Sequence, residues 1–296
     1  MVIEKDLNKI FAALITPVNE DESLNEEALR KLIEFELENG VEGFYCCGSS
    51  GEGLLLSVDE RKRFLEIVID EVKGRVPVIS HIGTIRTADV IELARHAKSV
   101  GADAVSMIPP YYYKFTFDEI IKYYEDVINA VDIPVIVYNI PQFTGVSFTK
   151  ANASRLLDND HVVGIKHTST DLFGLERMKT DYPDKIYFNG FDEIFLSGLA
   201  AGATGAIGTT VNLYPKTFRR LKDYYDAGEI EKAKKLQTLV NHRVEEMVNV
   251  GIFPAVKYLF KKLGIDCGTC RRPFGELNAE QKAKMDKLFS EGFDVE

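Results

Sequence analysis

The stretch "VVGIKHTS", Val162 to Ser169, joins a short apolar run to a lysine, a histidine and two hydroxyl residues. Val162, Val163, Gly164 and Ile165 read as a strand covered on both faces, because such strands lose the alternation of apolar and polar residues. A lysine closing a strand ordinarily lays its stem on apolar surface and keeps its charge in water. Lys166 escapes that habit only if the strand opens into an enclosed site, so the rest of the chain decides its meaning.

Seven further runs have the same form: "IFAALITP" from Ile10, "VEGFYCCG" from Val41, "PVISHIG" from Pro77, "AVSMIPP" from Ala104, "PVIVYNIP" from Pro134, "IYFNGF" from Ile186 and "GAIGTT" from Gly205. Between them lie amphipathic stretches such as "NEEALRKLIEFELENG", where Leu29, Leu32, Ile33, Leu37 and Val41 approximate one helical face. "DERKRFLEIVIDEVKG" is introduced by Ser57 and Glu60 at capping-box spacing. Strand then helix, eight times over, is the signature of an α/β protein of the (β/α)₈ TIM-barrel type. An open doubly wound sheet would commonly carry a glycine-rich phosphate loop after its first strand, and "ITPVNED" offers none.

After the eighth run come "YPKTFRRLKDYYDAG", "EIEKAKKLQTLVNHRVEEMVNVG" and "FPAVKYLFKKLG", helical patterns with no further strand. The expected division is a catalytic barrel over 1–227 and a helical C-terminal extension over 228–296, packed together as one unit; no linker separates two halves.

The 296 residues, 45% hydrophobic and 28% charged, suit a soluble globular protein. The net charge of −10, without a basic cluster, argues against nucleic acid and anionic membrane as partners. A small anionic substrate remains compatible, since a local site can oppose the global sign. Met1 to Ile10 carries both charge signs, and the apolar run after it is too short for a signal peptide or membrane span, so a cytoplasmic protein is expected. Cys46 and Cys47 should point to opposite faces of a strand, and Cys267 with Cys270 forms a lone C-x-x-C. Without a second pair or suitably spaced histidines these read as reduced structural thiols, and no metal is expected.

In a barrel of this kind the active site lies at the C-terminal strand ends. Those ends supply Thr16, "GSSGEG" over 48–53, "PPYYY" over 109–113, "YNIPQFTG" over 138–145, Lys166 to Ser169, "GFDE" over 190–193, and Thr209 with Thr210. A lysine does covalent chemistry as the free amine, and with a reference pKa near 10.4 only roughly one in two thousand is unprotonated at pH 7. Desolvation at a strand end lowers that pKa, so location and reactivity share one cause. The amine can then attack a ketone and form a Schiff base, with no other cofactor needed. Tyr138 ends the neighbouring run and can move a proton to and from the substrate. The backbone of "GSSGEG" can form an anion-binding concavity, assisted by the Ser49 and Ser50 hydroxyls, with Glu52 bracing the loop. His167 should face the helix layer and be structural.

These motifs, in order with the late "CRRPFG", resemble over essentially the whole chain the pyruvate-dependent class I aldolase family that includes dihydrodipicolinate synthases and N-acetylneuraminate lyases. The resemblance implies that Lys166 forms the Schiff base, Tyr138 transfers protons, and Ser49 and Ser50 bind the pyruvyl carboxylate. It also implies that Tyr112 reaches a neighbouring subunit's site, in a homotetramer.

Within the family three places lean toward the sialic acid lyases. Synthases typically carry an arginine before the threonine of "YNxPxxTG", where this chain has Phe143. "GFDE" offers Gly190, Asp192 and Glu193 to a polyhydroxyl tail, and "KHTS" offers Thr168. Ser50 and Thr209 stand where lyases usually carry threonine and serine, so the extra methyl of Thr209 could trim the tail pocket. The implied activity is cleavage of N-acetylneuraminate to N-acetylmannosamine and pyruvate. Another 2-keto-3-deoxy sugar acid aldolase, a dihydrodipicolinate synthase, and a non-catalytic barrel sensing pyruvate or sialic acid are the alternatives.

Overall fold

The computed structural model describes residues 5–292. Four residues of the N-terminal segment read over 1–10, and the last four of the 228–296 extension, lie outside them. Eight parallel strands close into a barrel in chain order: β1 (Ile10–Ala13), β2 (Phe44–Cys46), β3 (Val78–His81), β4 (Ala104–Met107), β5 (Val135–Asn139), β6 (Val162–His167), β7 (Ile186–Asn189) and β8 (Gly205–Gly208). β8 pairs with β1, so no strand edge is left open.

Side chains divide between two apolar layers. Phe11, Tyr45, Ile79, Ile136, Tyr138 and Phe188 fill the barrel interior, while Ala12, Phe44, Val105, Val137 and Ile165 pack against the helices. The helices begin where their capping residues stand. Ser57 and Glu60 form the reciprocal box that starts Val58–Val72, and Thr116 with Glu119 forms a second one at Phe117–Ala130.

One irregularity sets the phase of β6. Val135 pairs with Val162, but Ile136 pairs with Gly164, leaving Val163 as an extra residue in a bulge. From there Lys166 pairs with Tyr138 and His167 with Asn139. Strict counting from the Val135–Val162 pair would set Ile165 opposite Tyr138 and turn the lysine toward the helices. The bulge turns it into the barrel. Glycine is required there, since a Cβ on Gly164 would lie 2.3 Å from the Ile186 carbonyl oxygen.

The expectation for the paired cysteines is corrected. β2 ends at Cys46, and Cys47 adopts a left-handed φ of 58°, so alternation stops and both buried thiols join the helix-facing layer.

Beyond β8 the described residues hold only helices and loops. Pro215–Asp226 packs against Ile230–Val250, and Ile252–Lys262 and Ala279–Ser290 pack on the latter. Among the described residues no helix is long and apolar enough to cross a membrane, and no group of three or more His, Cys, Asp or Glu side chains is placed to hold a metal ion.

Candidate active site

Lys166 is 3% exposed, at the inner end of β6. Its Nζ lies 4.1 Å from the ring centroid of Tyr138 and 4.1 Å from that of Tyr45. The two rings stand edge to face, their centroids 6.2 Å apart, so the amine sits in an aromatic slot with little access to water. Burial pushes the Lys166 amine below its ordinary pKa, opposed by the Tyr138 phenol and the Asp192 carboxylate. Low dielectric favours the neutral, nucleophilic form.

Tyr45 is a site residue that sequence reasoning passed over. It shares with Tyr138 the inward phase near the end of its strand, and that shared phase was the available signal. Its hydroxyl donates to Ser106 Oγ at 3.1 Å. Gly48 leaves room for the ring, since a Cβ there would come within 2.5 Å of it. His81, also not anticipated, closes the cluster with its ring 5.8 Å from that of Tyr138. Its Nδ1–H donates to the Cys47 carbonyl at 3.1 Å, because a carbonyl can only accept. Burial first, then the Arg61 and Lys166 charges, hold this histidine well below its usual pKa and therefore neutral.

The turn after β2 carries Ser49 and Ser50. Gly53 N–H donates to Gly48 O at 3.0 Å and Glu52 N–H to Ser49 O at 3.1 Å, whereas the amides of Ser49, Ser50 and Gly51 donate to no group among the described residues. Unspent donors in a tight turn are suited to an anion. The Ser50 hydroxyl lies 2.7 Å from the Thr209 hydroxyl, which ties this turn to the end of β8. Thr16 Oγ1 donates to Gly51 O at 2.6 Å, bracing it from the loop after β1. Glu52 is buried and ion-paired, as its expected bracing role requires.

On the other side of the lysine, Thr168 is buried and its hydroxyl has no partner among the described residues. A Cβ on Gly190 would lie 1.9 Å from that hydroxyl, so the glycine allows the close approach. Asp192 is buried, and its Oδ2 accepts from the Thr210 amide and the Thr210 hydroxyl, each at 2.7 Å. The aspartate therefore faces inward and braces the end of β8. Burial raises its pKa to about 6, against those hydrogen bonds and the Lys166 charge. Glu193, the next residue, is exposed.

Of the anticipated residues, β5 and β6 thus bring together Lys166 and Tyr138, and the strand ends gather Ser50 with Thr209 and Thr168 with Gly190. Tyr112 is not gathered with them within one chain. It is 85% exposed, with φ of 75° and its ring edge-on to Tyr113. Phe143, in place of an arginine, is exposed. His167 faces away from the barrel, with Nε2 3.0 Å from Asp171 O and Nδ1 3.1 Å from Asn139 Nδ2, which fits the structural role expected of it.

A desolvated amine held against a phenol in the mouth of a closed barrel is suited to Schiff-base chemistry, the chemistry of the class I aldolases. The dihydrodipicolinate synthetase family matches this chain over residues 6–291, and the chain belongs to that family. An N-acetylneuraminate lyase from Rhizobium meliloti is 41% identical over 279 residues, covering 94% of this chain and 93% of the relative. Among solved structures, CdNal from Clostridium difficile in complex with mannosamine superposes with a TM-score of 0.95 at 34% identity, over 97% of this chain and 99% of that one. A dihydrodipicolinate synthase from Bacillus anthracis superposes with a TM-score of 0.92 at 25% identity, over 96% and 98% of the two chains. The fold is common to both activities, and identity is higher on the lyase side.

Proposed function

We propose that this chain is an N-acetylneuraminate lyase, cleaving N-acetylneuraminate to N-acetylmannosamine and pyruvate. The supporting observation is the Lys166 amine, buried and held 4.1 Å from the Tyr138 ring. The relatives that bear the lyase name, and Phe143 where a synthase arginine would meet a second carboxylate, direct the choice of substrate.

Lys166 attacks the C2 ketone, and loss of water gives the iminium. The substrate carboxylate rests on the free amides of the Ser49–Gly51 turn and the Ser49 and Ser50 hydroxyls. Tyr138, acting through that carboxylate, takes the C4 hydroxyl proton. The C3–C4 bond then breaks, its electron pair moving into the iminium to leave an enamine while the aldehyde departs. Protonation at C3 and hydrolysis return pyruvate and the free lysine. Thr168, Gly190, Asp192, Glu193 and Thr209 form the wall that meets the polyhydroxyl tail. The inward bond of Asp192 to Thr210 leaves Glu193 the more accessible carboxylate for diols. The exposed Tyr112 completes the site of a neighbouring copy in a cytoplasmic homotetramer.

A coupled assay with N-acetylneuraminate, 2-keto-3-deoxygluconate and aspartate semialdehyde tests this. Cleavage of the first is expected. Turnover of only the third with pyruvate contradicts the lyase assignment, and pyruvate binding without any turnover, unchanged by Lys166→Ala, contradicts an enzyme altogether.

A further inference from the structure

We infer that Lys257 and Arg271, which follow the barrel in the chain, are positioning residues for the turn that holds the keto acid's carboxylate, acting on it through Glu52. This rests on the proposed role of the Ser49–Gly51 turn. Glu52 belongs to that turn and has left-handed backbone, φ 55° and ψ 29°, which a non-glycine residue keeps only when its surroundings fix it. Both of its carboxylate oxygens are committed to the segment beyond the barrel. Lys257 Nζ is 2.7 Å from Oε1, with the two side chains 2% and 1% exposed, and the Arg271 amide donates to Oε2 at 2.6 Å.

The anchors are themselves held. Lys257 Nζ donates to Thr269 O at 2.8 Å. The Arg271 guanidinium donates to Leu55 O at 3.2 Å and to both oxygens of Glu60 at 3.0 and 2.5 Å, so it grips the chain just after the turn and the first turn of the next helix. A buried ion pair adds little net stability over an apolar pair of the same volume, which makes orientation the better account of its presence here. What it orients is the turn that carries the free amides of Ser49, Ser50 and Gly51.

The test is reductive trapping with borohydride, measured against pyruvate concentration and, separately, against acetone, a ketone with no carboxylate. The variants are Lys257→Met and the charge-free pair Lys257→Met with Glu52→Gln, each checked for folding by thermal unfolding. The double variant keeps the test open if the single one, left with an unpaired buried carboxylate, does not fold. In the folded variant the half-saturating pyruvate concentration should rise about tenfold to hundredfold, with full trapping at saturation and an unchanged rate with acetone. A half-saturation equal to wild type, with only the trapped fraction reduced, means that Lys257 is structural and overturns the inference. Wild-type protein that pyruvate and borohydride do not modify overturns the underlying Schiff-base assignment instead.

Discussion

Tyr138 and Lys166 face each other across β5 and β6 as register partners because of the extra residue, Val163, in the bulge two pairs before them. The glycine after the bulge fits against β7 only without a side chain. Gly164→Ala should therefore push β6 off β7, destabilise the protein by about 1–3 kcal/mol, and lower activity about tenfold or more through misplacement of the amine. Thermal unfolding and cleavage rate together check this; a variant with wild-type activity and stability would show that the bulge does not set the lysine's phase.

The aromatic slot makes a separate claim about pKa. Burial is the main cause that lowers the Lys166 pKa, and the Tyr45 ring, 4.1 Å from its Nζ, is part of its cover. Tyr45→Ala should admit water, raise that pKa and move the limb of the pH–rate profile set by the amine to higher pH, with about tenfold less free amine at pH 7 for each pKa step. Tyr45→Phe keeps the ring and should leave the limb in place. Equal shifts in both variants would assign the effect to the hydroxyl and its bond to Ser106.

Much of this was legible in the sequence, and the exceptions have definite causes. The eight apolar runs became eight strands, and their polar ends became the mouth, because strand order and the position of active sites in barrels follow from simple rules. Lys166 and Tyr138 could be named from their strand ends. The bulge at Val163 could not, because it depends on how β5 and β6 align and leaves no local pattern. The opposite-face reading of Cys46 and Cys47 failed for a related reason, the left-handed turn at Cys47. Tyr45 lay inside an apolar run rather than at its polar end. The link from Glu52 to Lys257 joins residues from opposite ends of the chain, beyond the reach of any spacing.

Asp192 predicts a pH dependence of stability. Its pKa in the folded state, about 6, exceeds the ordinary 3.8, so between these values the folded form holds a proton that the unfolded chain has released. That contribution is fully present below pH 3.8 and is lost as pH rises through about 6, a change of about 3 kcal/mol. Denaturant unfolding from pH 3.5 to 7 should show wild type losing that stability relative to Asp192→Asn. Parallel curves would mean that Asp192 keeps its ordinary pKa in the folded protein.

Glu36 offers a test away from the site. It lies fully buried on the first helix, Glu26–Glu38, with neither carboxylate oxygen hydrogen-bonded among the described residues, and burial holds its pKa well above the usual range. The carboxyl's stabilising protonated form is lost as pH rises, so it is a liability at neutral pH. Glu36→Met should raise stability by about 1–3 kcal/mol at pH 7 and leave kcat and KM unchanged. Lower stability would reveal a partner that Glu36 needs.

The central claim is that one lysine, made reactive by burial, carries the reaction covalently. Treating the protein with pyruvate and borohydride, then mapping peptides by mass, tests it most directly. The prediction is a single reduced pyruvate adduct on the peptide containing Lys166, absent from Lys166→Ala. Pyruvate bound without an adduct, or an adduct on a different lysine, contradicts it.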